Sequence, residues 1–343
     1  MNYPRWANLG NSKNMNDLLS ICIPTYNRCQ YIEKILIEFI KQLEPYKIPI
    51  YISDNGSTDN TRSVIKNLEY EYLFYQNNKA NTGIDQNIIN AVKMASSQYV
   101  WIFSDDDLIA DEAISKIMKI LKHEYSLLIV NSSTYNKDFS KLLEYRHLEI
   151  DTDTEYGEKE YEKLLTDTAS YSTFIGSLVI SKKLWDSVDH KKFIGTDFVH
   201  SGIVFNYIIG KKAYFLSEPL IKIRLQNASW SNRTFEVWNI NWPKIIWNLP
   251  SEYSRASKTK VTLKEPCSSI KTIAGYRAMG SYNRNLYFKY IKNNNNIPSS
   301  KKILLNLISI VPTIFLKRIK LLILYLKKPI GYKFKIFQLT NKI

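Results

Sequence analysis

Cysteine is nearly missing from this 343-residue chain, and what there is cannot cross-link it. Cys22, Cys29 and Cys267 form no C-x-x-C pair and no even-numbered framework, which argues against a disulfide or zinc scaffold and for a reducing compartment. A secretory start is also missing. Residues 1–17 are polar, with Asn2, Asn8, Asn11, Asn14 and Asn16 and no apolar stretch behind a basic beginning, so a lumenal or periplasmic site of action is disfavoured and a cytosolic one expected. No apolar run is long enough to span a bilayer, and no internal repeat is apparent. Acids almost vanish from the C-terminal quarter. Of 47 basic and 32 acidic side chains, residues 251–343 hold 19 and 2, which leaves 28 and 30 for residues 1–250. The formal charge of +15 therefore belongs to the C-terminal segment, and the two parts are expected to meet different partners. No recognised DNA- or RNA-binding motif accompanies the charge, so nucleic acid is not the expected partner.

What the chain does have is core material. With 45% hydrophobic and 13% aromatic residues it can fill one large domain or two modest ones. From residue 18 the hydrophobic period alternates between strand and helix. Residues 18–23, 48–53, 72–75, 99–103 and 126–130 read as buried strands, and residues 31–42, 59–68, 84–95 and 112–122 as helices between them. Five strands separated by four helices imply a mostly parallel α/β sheet with right-handed crossovers. Residues 132–170 lose periodicity and gain acids, a surface excursion followed by a helix. Residues 174–181, a short helix near Leu184, a helix over 198–209 and a strand over 213–224 look like a second half of the same domain.

Parallel sheets bind ligands beyond the carboxyl ends of their strands, and that is where the polar residues of this chain fall. The first strand ends in Pro24-Thr25-Tyr26-Asn27-Arg28, the second in Asp54-Asn55-Gly56-Ser57-Thr58-Asp59, and the third in Gln76-Asn77-Asn78. The fourth ends in Ser104-Asp105-Asp106-Asp107. Three consecutive carboxylates after a buried strand repel one another unless a cation neutralises them. With no His or Cys nearby, the oxygen ligands suit Mg²⁺ or Mn²⁺ bridging to substrate phosphates. The competing reading is a solvated loop whose acids cap the helix beginning near Asp111. Taken alone, the Asp54 segment is a turn, with Gly56 at the bend and Ser57 or Thr58 as a helix cap.

The combination is more informative than its parts. Pro-Thr-Tyr-Asn, Asp-Asn-Gly-Ser-Thr-Asp, then Asn81-Thr82-Gly83 before a helix, then Ser-Asp-Asp-Asp resembles the nucleotide-binding half of the family 2 glycosyltransferases, which have the GT-A fold. The resemblance covers residues 18–131 and, more weakly, 170–226. It implies that Pro24, Thr25, Tyr26 and Arg28 line base and ribose and that Asp54, with Asn55, meets the base. It further implies that Asn81 and Gly83 pass close to ribose and phosphate, with Asp85 and Asn87 on the next helical turn. Asp105, Asp106 and Asp107 match the acidic metal-binding motif, with Ser104 where many members carry another acid. That departure leaves the register open: Asp105 faces ribose, or ligates metal together with Asp106 and Asp107.

An inverting transfer also needs a base for the acceptor hydroxyl. Gly195-Thr196-Asp197-Phe198 matches the family's location for it, which implies Asp197 as base and His200 as the reserve, against plain readings as an N-cap and a packing histidine. Gly176 and Ser177, in Phe174-Ile175-Gly176-Ser177, resemble the loop on which the acceptor rests. Arg224-Leu225-Gln226-Asn227 resembles the late segment that closes over the diphosphate, without the histidine common there. Arg224 is expected on phosphate or on a surface acid.

The expected organisation is a polar extension (1–17), a nucleotide-sugar-binding half (18–131), an acceptor-side half (132–228), a helical region (229–300) and a basic amphipathic tail (301–343). In the tail, Lys317, Arg318, Lys320, Lys327 and Lys328 cover about half a helical wheel, as in a helix lying on an anionic membrane surface. Leu321 and Leu324 within that arc favour the alternative, a helix packed on the catalytic domain. Trp230, Trp238, Trp242 and Trp247 are expected to fill a helical core.

Together these readings imply an inverting sugar transferase on the cytosolic membrane face. It would use a nucleotide-diphosphate sugar and a divalent metal to extend a polyprenyl-linked glycan of a surface polysaccharide such as an O-antigen. The Ser-Asp-Asp-Asp variant and the length are similar to the abequosyltransferase-like branch, which implies a deoxysugar donor. A nucleotidyltransferase would share the sheet and the metal, but should carry a Gly-rich basic loop after the first strand. Pro24-Thr25-Tyr26-Asn27 has no glycine. A non-catalytic nucleotide-sugar or membrane-binding module is the other rival.

Overall fold

The structure, a computed structural model, describes residues 16–225 and 231–327. The chain divides into two compact units between Arg224 and Leu225. The first opens with β1 (Leu19–Thr25), α1 (Cys29–Leu43), β2 (Ile50–Asp54), α2 (Thr61–Lys66), β3 (Leu73–Asn77), α3 (Ile84–Met94), β4 (Tyr99–Ile102), β5 (Leu108–Ile109), α4 (Ala113–Leu121) and β6 (Leu127–Tyr135). It continues through β7 (Leu142–Glu144), β8 (Thr154–Tyr156), α5 (Tyr161–Thr168), β9 (Leu178–Ser181), α6 (Lys182–Asp186), α7 (Val199–Tyr207) and β10 (Ala213–Arg224).

All ten strands join one mixed sheet in the order β3-β2-β1-β4-β9-β6-β10-β5, with β7 on β6 and β8 on β10. The β3-β2-β1-β4 half is parallel. Because the chain steps outward from β1 to β3 and then returns to the other side of β1, the switch point of the sheet lies between β1 and β4. Every residue of β1 is buried, as a strand covered on both faces requires. Its Pro24 is placed by the same geometry. The Ile21 amide donates toward β2, to the Pro49 carbonyl, so alternation puts the missing N–H of Pro24 on the β4 side. The β1–β4 register ends at Cys22 and Ile102, so no ladder partner is lost and the two strands part at their carboxyl ends.

On α1 the residues Ile32, Ile35, Leu36, Phe39 and Leu43 are buried, the 3.6-residue stripe that faces a core. Phe39, Trp101 and Phe103 meet edge to face, with ring centroids 4.8 to 6.2 Å apart, the geometry aromatic quadrupoles favour. Phe103 thus anchors the residue just before the acidic turn.

Three details go beyond the reading of the sequence. On the side away from β1, β4 pairs with β9, which is antiparallel to both β4 and β6. The strand expected over 126–130 runs on to Tyr135, because Asn131, Ser132, Ser133 and Thr134 are buried although polar. Polarity disguised them as the start of a surface excursion. Finally, β5 is a two-residue strand that pairs with Ile221 and Lys222 of β10, too short to leave a periodic signal.

The second unit is helical. It runs α8 (Thr234–Glu236), a π turn (Val237–Asn241), α9 (Trp242–Trp247), α10 (Arg255–Val261), α11 (Ile270–Ala278), α12 (Arg284–Tyr290), α13 (Ser299–Ile310) and α14 (Thr313–Lys327). Its core gathers Phe235, Cys267, Ile273, Tyr282, Tyr287, Ile291, Ile297 and Leu305. Trp242 is buried and Trp238 and Trp247 are half-buried, while Trp230 and Lys328 lie outside the described residues.

Candidate active site

The carboxyl ends of β1, β2 and β3 are level: Thr25 stands opposite Asp54, and Asp54 opposite Asn77. The loops that follow are stitched together by short polar side chains. Asn27, in the left-handed region at φ 53°, accepts from the Thr58 amide at 2.8 Å, and its own amide donates to the Ser57 hydroxyl. The Arg28 amide donates to Thr61 and the Cys29 amide to Asp59. Asn55 donates to Asn81 and to the Gly83 carbonyl, and accepts from Thr82. Gly56 needs both its properties here: φ is +78°, and a Cβ would sit 3.2 Å from the Ala80 backbone.

This stitching gives several expected donor contacts a different role. Asp54 is fully enclosed, and its carboxylate accepts from the Ser57 amide (2.8 Å) and the Tyr75 hydroxyl (2.6 Å). Asn87, also buried, accepts from Ser53 and Asn78 and donates to the Thr25 carbonyl. Both hold strand ends together, because a buried polar group must find partners nearby. Pro24 and Thr25 are buried beneath the loop. Tyr26, Asn81 and Gly83 are exposed at the rim, where a ligand can touch them.

Beyond β4 the three acids diverge. Asp105 and Asp106 face Arg28 across the parted ends of β1 and β4, with Arg28 Nε 3.4 Å from Asp105 and Nη2 4.0 Å from Asp106. Burial, then the Asp106 charge, push the Asp105 carboxyl up to about 7 against the pull of Arg28. Asp107 turns away. It accepts from the Ser104 hydroxyl and, at 2.7 Å, from the Arg224 amide, and burial raises its carboxyl well above the ordinary range. Each Asp107 oxygen is thus engaged by the protein, which makes it a brace of the turn, while the lone pairs left on both oxygens keep it compatible with the metal role expected of it. No group of three or more acidic, histidine or cysteine side chains converges on one point among the described residues. The fit to a cation is thus a partial one: Asp105 and Asp106 supply hard oxygen ligands and excess negative charge that one guanidinium does not cancel.

Arg224 is likewise engaged by the protein. Its Nε donates to the Asp106 carbonyl (2.9 Å) and its Nη1 to the Lys137 carbonyl, and the guanidinium lies between Tyr31 and Phe139, 4.7 and 4.4 Å from their ring centres. In these contacts it braces the acidic turn. Gln226 and Asn227 lie outside the described residues.

Asp197 sits half-buried at the entrance to α7, at φ 65°, two residues after Gly195 at φ 83°. The turn is held by Asp85, whose carboxylate accepts from the Asp197 amide (2.9 Å) and the Val199 amide (3.0 Å). Asp85 is buried, so its expected donor contact becomes a contact to the protein's own backbone. His200 is enclosed within α7. Its Nε2 is 3.1 Å from the Thr173 carbonyl, and burial pushes its pKa down to about 4. Closed off in this way it cannot reach an acceptor, and its reserve role as base is withdrawn. Gly176 and Ser177 are buried as well: the Gly176 carbonyl accepts from the Trp101 indole at 2.7 Å, and the Ser177 hydroxyl donates to Phe174. Of that loop, Thr173, Phe174 and Ile175 are the half-buried residues able to touch an acceptor.

Sequence reading passed over Tyr31, Phe139, Asn27 and Tyr75. Only Asn27 left a signal, as a residue type that tolerates the left-handed conformation next to a proline turn. The others matter through contacts between distant segments.

A 3-2-1-4 parallel half-sheet, acids beyond β4 and a second half built around β9, β6 and β10 define a GT-A type α/β fold. Residues 20–187 match the family described as Glycosyl transferase family 2. The abequosyltransferase RfbV of Salmonella typhimurium is 30% identical over 232 residues, 63% of this chain and 69% of that protein. The GalNAc(5)-diNAcBac-PP-undecaprenol beta-1,3-glucosyltransferase of Campylobacter jejuni is 23% identical over 312 residues, 88% and 96% of the two chains. This chain belongs to the family 2 glycosyltransferases. Among solved structures, Staphylococcus aureus TarS 1–349 in complex with UDP-GlcNAc shares the fold at TM-score 0.54 and 16% identity, covering 84% of this chain and 83% of that one. The mannosyltransferase PcManGT of Pyrobaculum calidifontis, in complex with GDP-Man and Mn²⁺, does so at 0.51 and 16%, covering 75% and 74%.

Proposed function

We propose that this glycosyltransferase inverts the anomeric centre as it moves a sugar from a nucleotide diphosphate to a hydroxyl of a lipid-linked glycan. The observation that carries the reading is the pair Asp105 and Asp106 facing Arg28 across the parted strands, the place where an α/β sheet of this order receives a nucleotide. The rim residues Tyr26, Asn81 and Gly83 would bound the nucleoside, while Arg28, beside the acids, would meet the diphosphate. A divalent ion held by Asp105 and Asp106 would supply charge stabilisation for the departing diphosphate. Asp197 would accept the proton of the acceptor hydroxyl as its oxygen bonds to the anomeric carbon and the carbon–phosphate oxygen bond breaks. The relatives from Salmonella and Campylobacter support a surface-polysaccharide pathway, an undecaprenyl-type acceptor and, for the first, a deoxysugar donor.

A lipid acceptor would place the reaction at a membrane, and the second unit supports a peripheral position on its surface. No helix among the described residues is long and apolar enough to cross a membrane. Yet Ile303, Leu307 and Ile310 of α13 and Ile314, Phe315, Ile319, Leu322 and Ile323 of α14 are exposed. After Glu265 the chain has no acidic residue at all. Exposed apolar side chains among an excess of cations suit an anionic bilayer surface.

The test is sugar transfer and donor hydrolysis over a panel of nucleotide sugars with Mn²⁺ or Mg²⁺, comparing wild type with Asp106→Ala and Asp197→Ala. Loss of transfer in both, with nucleotide binding kept by Asp197→Ala, is the expected result. Donor binding without turnover on any acceptor would point to a binding module instead.

A further inference from the structure

The turn at Asp197 has an unusual support. The entry to α7 has no side-chain cap of its own: Phe198 stands at the N-cap position. Its amides are served from 112 and 114 residues away, by Asp85 on the first turn of α3. An Asn or Ser at the helix entrance would satisfy an ordinary helix start. Here a carboxylate is buried to 3% exposure for the purpose, and burial, then the nearby Asp197 charge, raise its pKa. A buried acid retained at such a cost is not explained by helix capping alone.

What it holds is a backbone conformation that needs holding. Asp197 is in the left-handed region and Gly195 close by is too, a backbone state that a non-glycine residue keeps only when its surroundings fix it. Asp85 grips the amide on Asp197 itself and the amide two residues on. The direction in which the Asp197 side chain leaves the turn follows from that grip. On the next turns of α3, Asn87 is bonded to the Thr25 carbonyl at the end of β1. The helix that carries Asp85 is therefore registered on the strand end where the nucleotide is proposed to sit.

We propose that Asp85 is a positioning residue: it acts through Asp197, fixing the base relative to the donor side of the sheet and making no contact with the donor. The inference rests on the assignment of Asp197 as base. It accounts for a buried carboxylate at a position where the sequence pattern alone suggested a donor contact.

The test compares Asp85→Asn, Asp85→Ala, Asp197→Asn and the double variant Asp85→Asn/Asp197→Asn. The donor is the nucleotide sugar turned over in the panel above, and affinity for the corresponding free nucleoside diphosphate is measured alongside. Asn keeps one acceptor oxygen for two amides, so kcat is expected to fall roughly 10-fold in Asp85→Asn and roughly 100-fold in Asp85→Ala. Nucleoside diphosphate affinity stays at the wild-type value, which also shows that the fold is intact. In the Asp197→Asn background, Asp85→Asn costs nothing further, since the residue through which it acts is gone. An equal loss in both backgrounds, or weakened nucleotide binding, overturns the proposal. Full transfer activity in Asp197→Asn overturns the base assignment itself and the inference with it, a result distinct from the other two.

Discussion

Arg224 holds Asp107 by its backbone amide and the Asp106 carbonyl by its side chain, although 117 residues separate Arg224 from Asp107. The last residue of β10 is thus a brace under the acidic turn, with its guanidinium between Tyr31 and Phe139. Lysine at this position keeps the charge but loses the planar fork and the double stacking. Arg224→Lys is expected to lower kcat about 10-fold and stability by about 1–2 kcal/mol, with little change in nucleoside diphosphate affinity. A selective loss of that affinity would return Arg224 to the phosphate role suggested by its place in the sequence.

The raised carboxyl of Asp105 makes a prediction about pH. Its folded pKa of about 7 lies above the ordinary carboxylate value, so the folded protein binds this proton more tightly than the unfolded chain. Its contribution favours folding at low pH and is lost as pH rises toward and through 7. At pH 8 and without metal, Asp105→Asn should therefore melt about 2–4 °C above wild type, a gap that narrows as pH falls below 7 and closes only near the ordinary carboxylate value of about 4. Mn²⁺ with a nucleoside diphosphate should raise the melting temperature of wild type but not of the variant. Melting of the variant below wild type at pH 8 would contradict the electrostatic account.

His200 gives the opposite slope. A histidine whose folded pKa is depressed to about 4 contributes no penalty above its unfolded pKa of about 6.5, but stability is lost as pH falls from there toward 4, because the unfolded chain takes up the proton first. For a fully enclosed ring the loss is on the order of 3 kcal/mol. Denaturant unfolding at pH 7, 5.5 and 4.5 should show this fall in wild type and a flatter profile in His200→Gln, while the pH dependence of transfer remains the same in both. A shifted rate profile in His200→Gln would restore a catalytic role.

For the second unit the prediction concerns lipid. Sedimentation with vesicles of phosphatidylglycerol should bring wild type down, and zwitterionic phosphatidylcholine vesicles should do so weakly. Phe315→Asp with Leu322→Asp should release the protein from both while leaving its melting temperature within about 2 °C, because neither side chain is in the core. Undiminished binding by the double variant would show that other residues make the contact.

How much of this could be read from residues alone depends on the range of the interaction. The parallel half-sheet was legible because each strand is a local apolar run with polar residues at its end, and the order of motifs led to the right family. The position of β9 between β4 and β6 was not, since pairing of strands far apart in sequence leaves no local trace. The same holds within the site. Asp105 and Asp106 lie together beside Arg28 beyond β4, but whether Asp54, Asp85, Asn87 and Arg224 serve ligand or scaffold turns on partners such as Tyr75, Val199, Ser53 and Phe139. A polar residue at a strand end looks the same in sequence whether it will meet a ligand or a neighbouring loop.

Helix α13 contributes Leu305 to the interior of the second unit and presents Ile303, Leu307 and Ile310 outward. Deleting the helix would remove both faces together, so a shortened chain would report on folding rather than on adhesion. Evolution faces the same geometry: the grip on a bilayer proposed for the outer stripe would be tuned by point changes, one residue at a time, but the element itself cannot be discarded without dismantling the bundle beneath it.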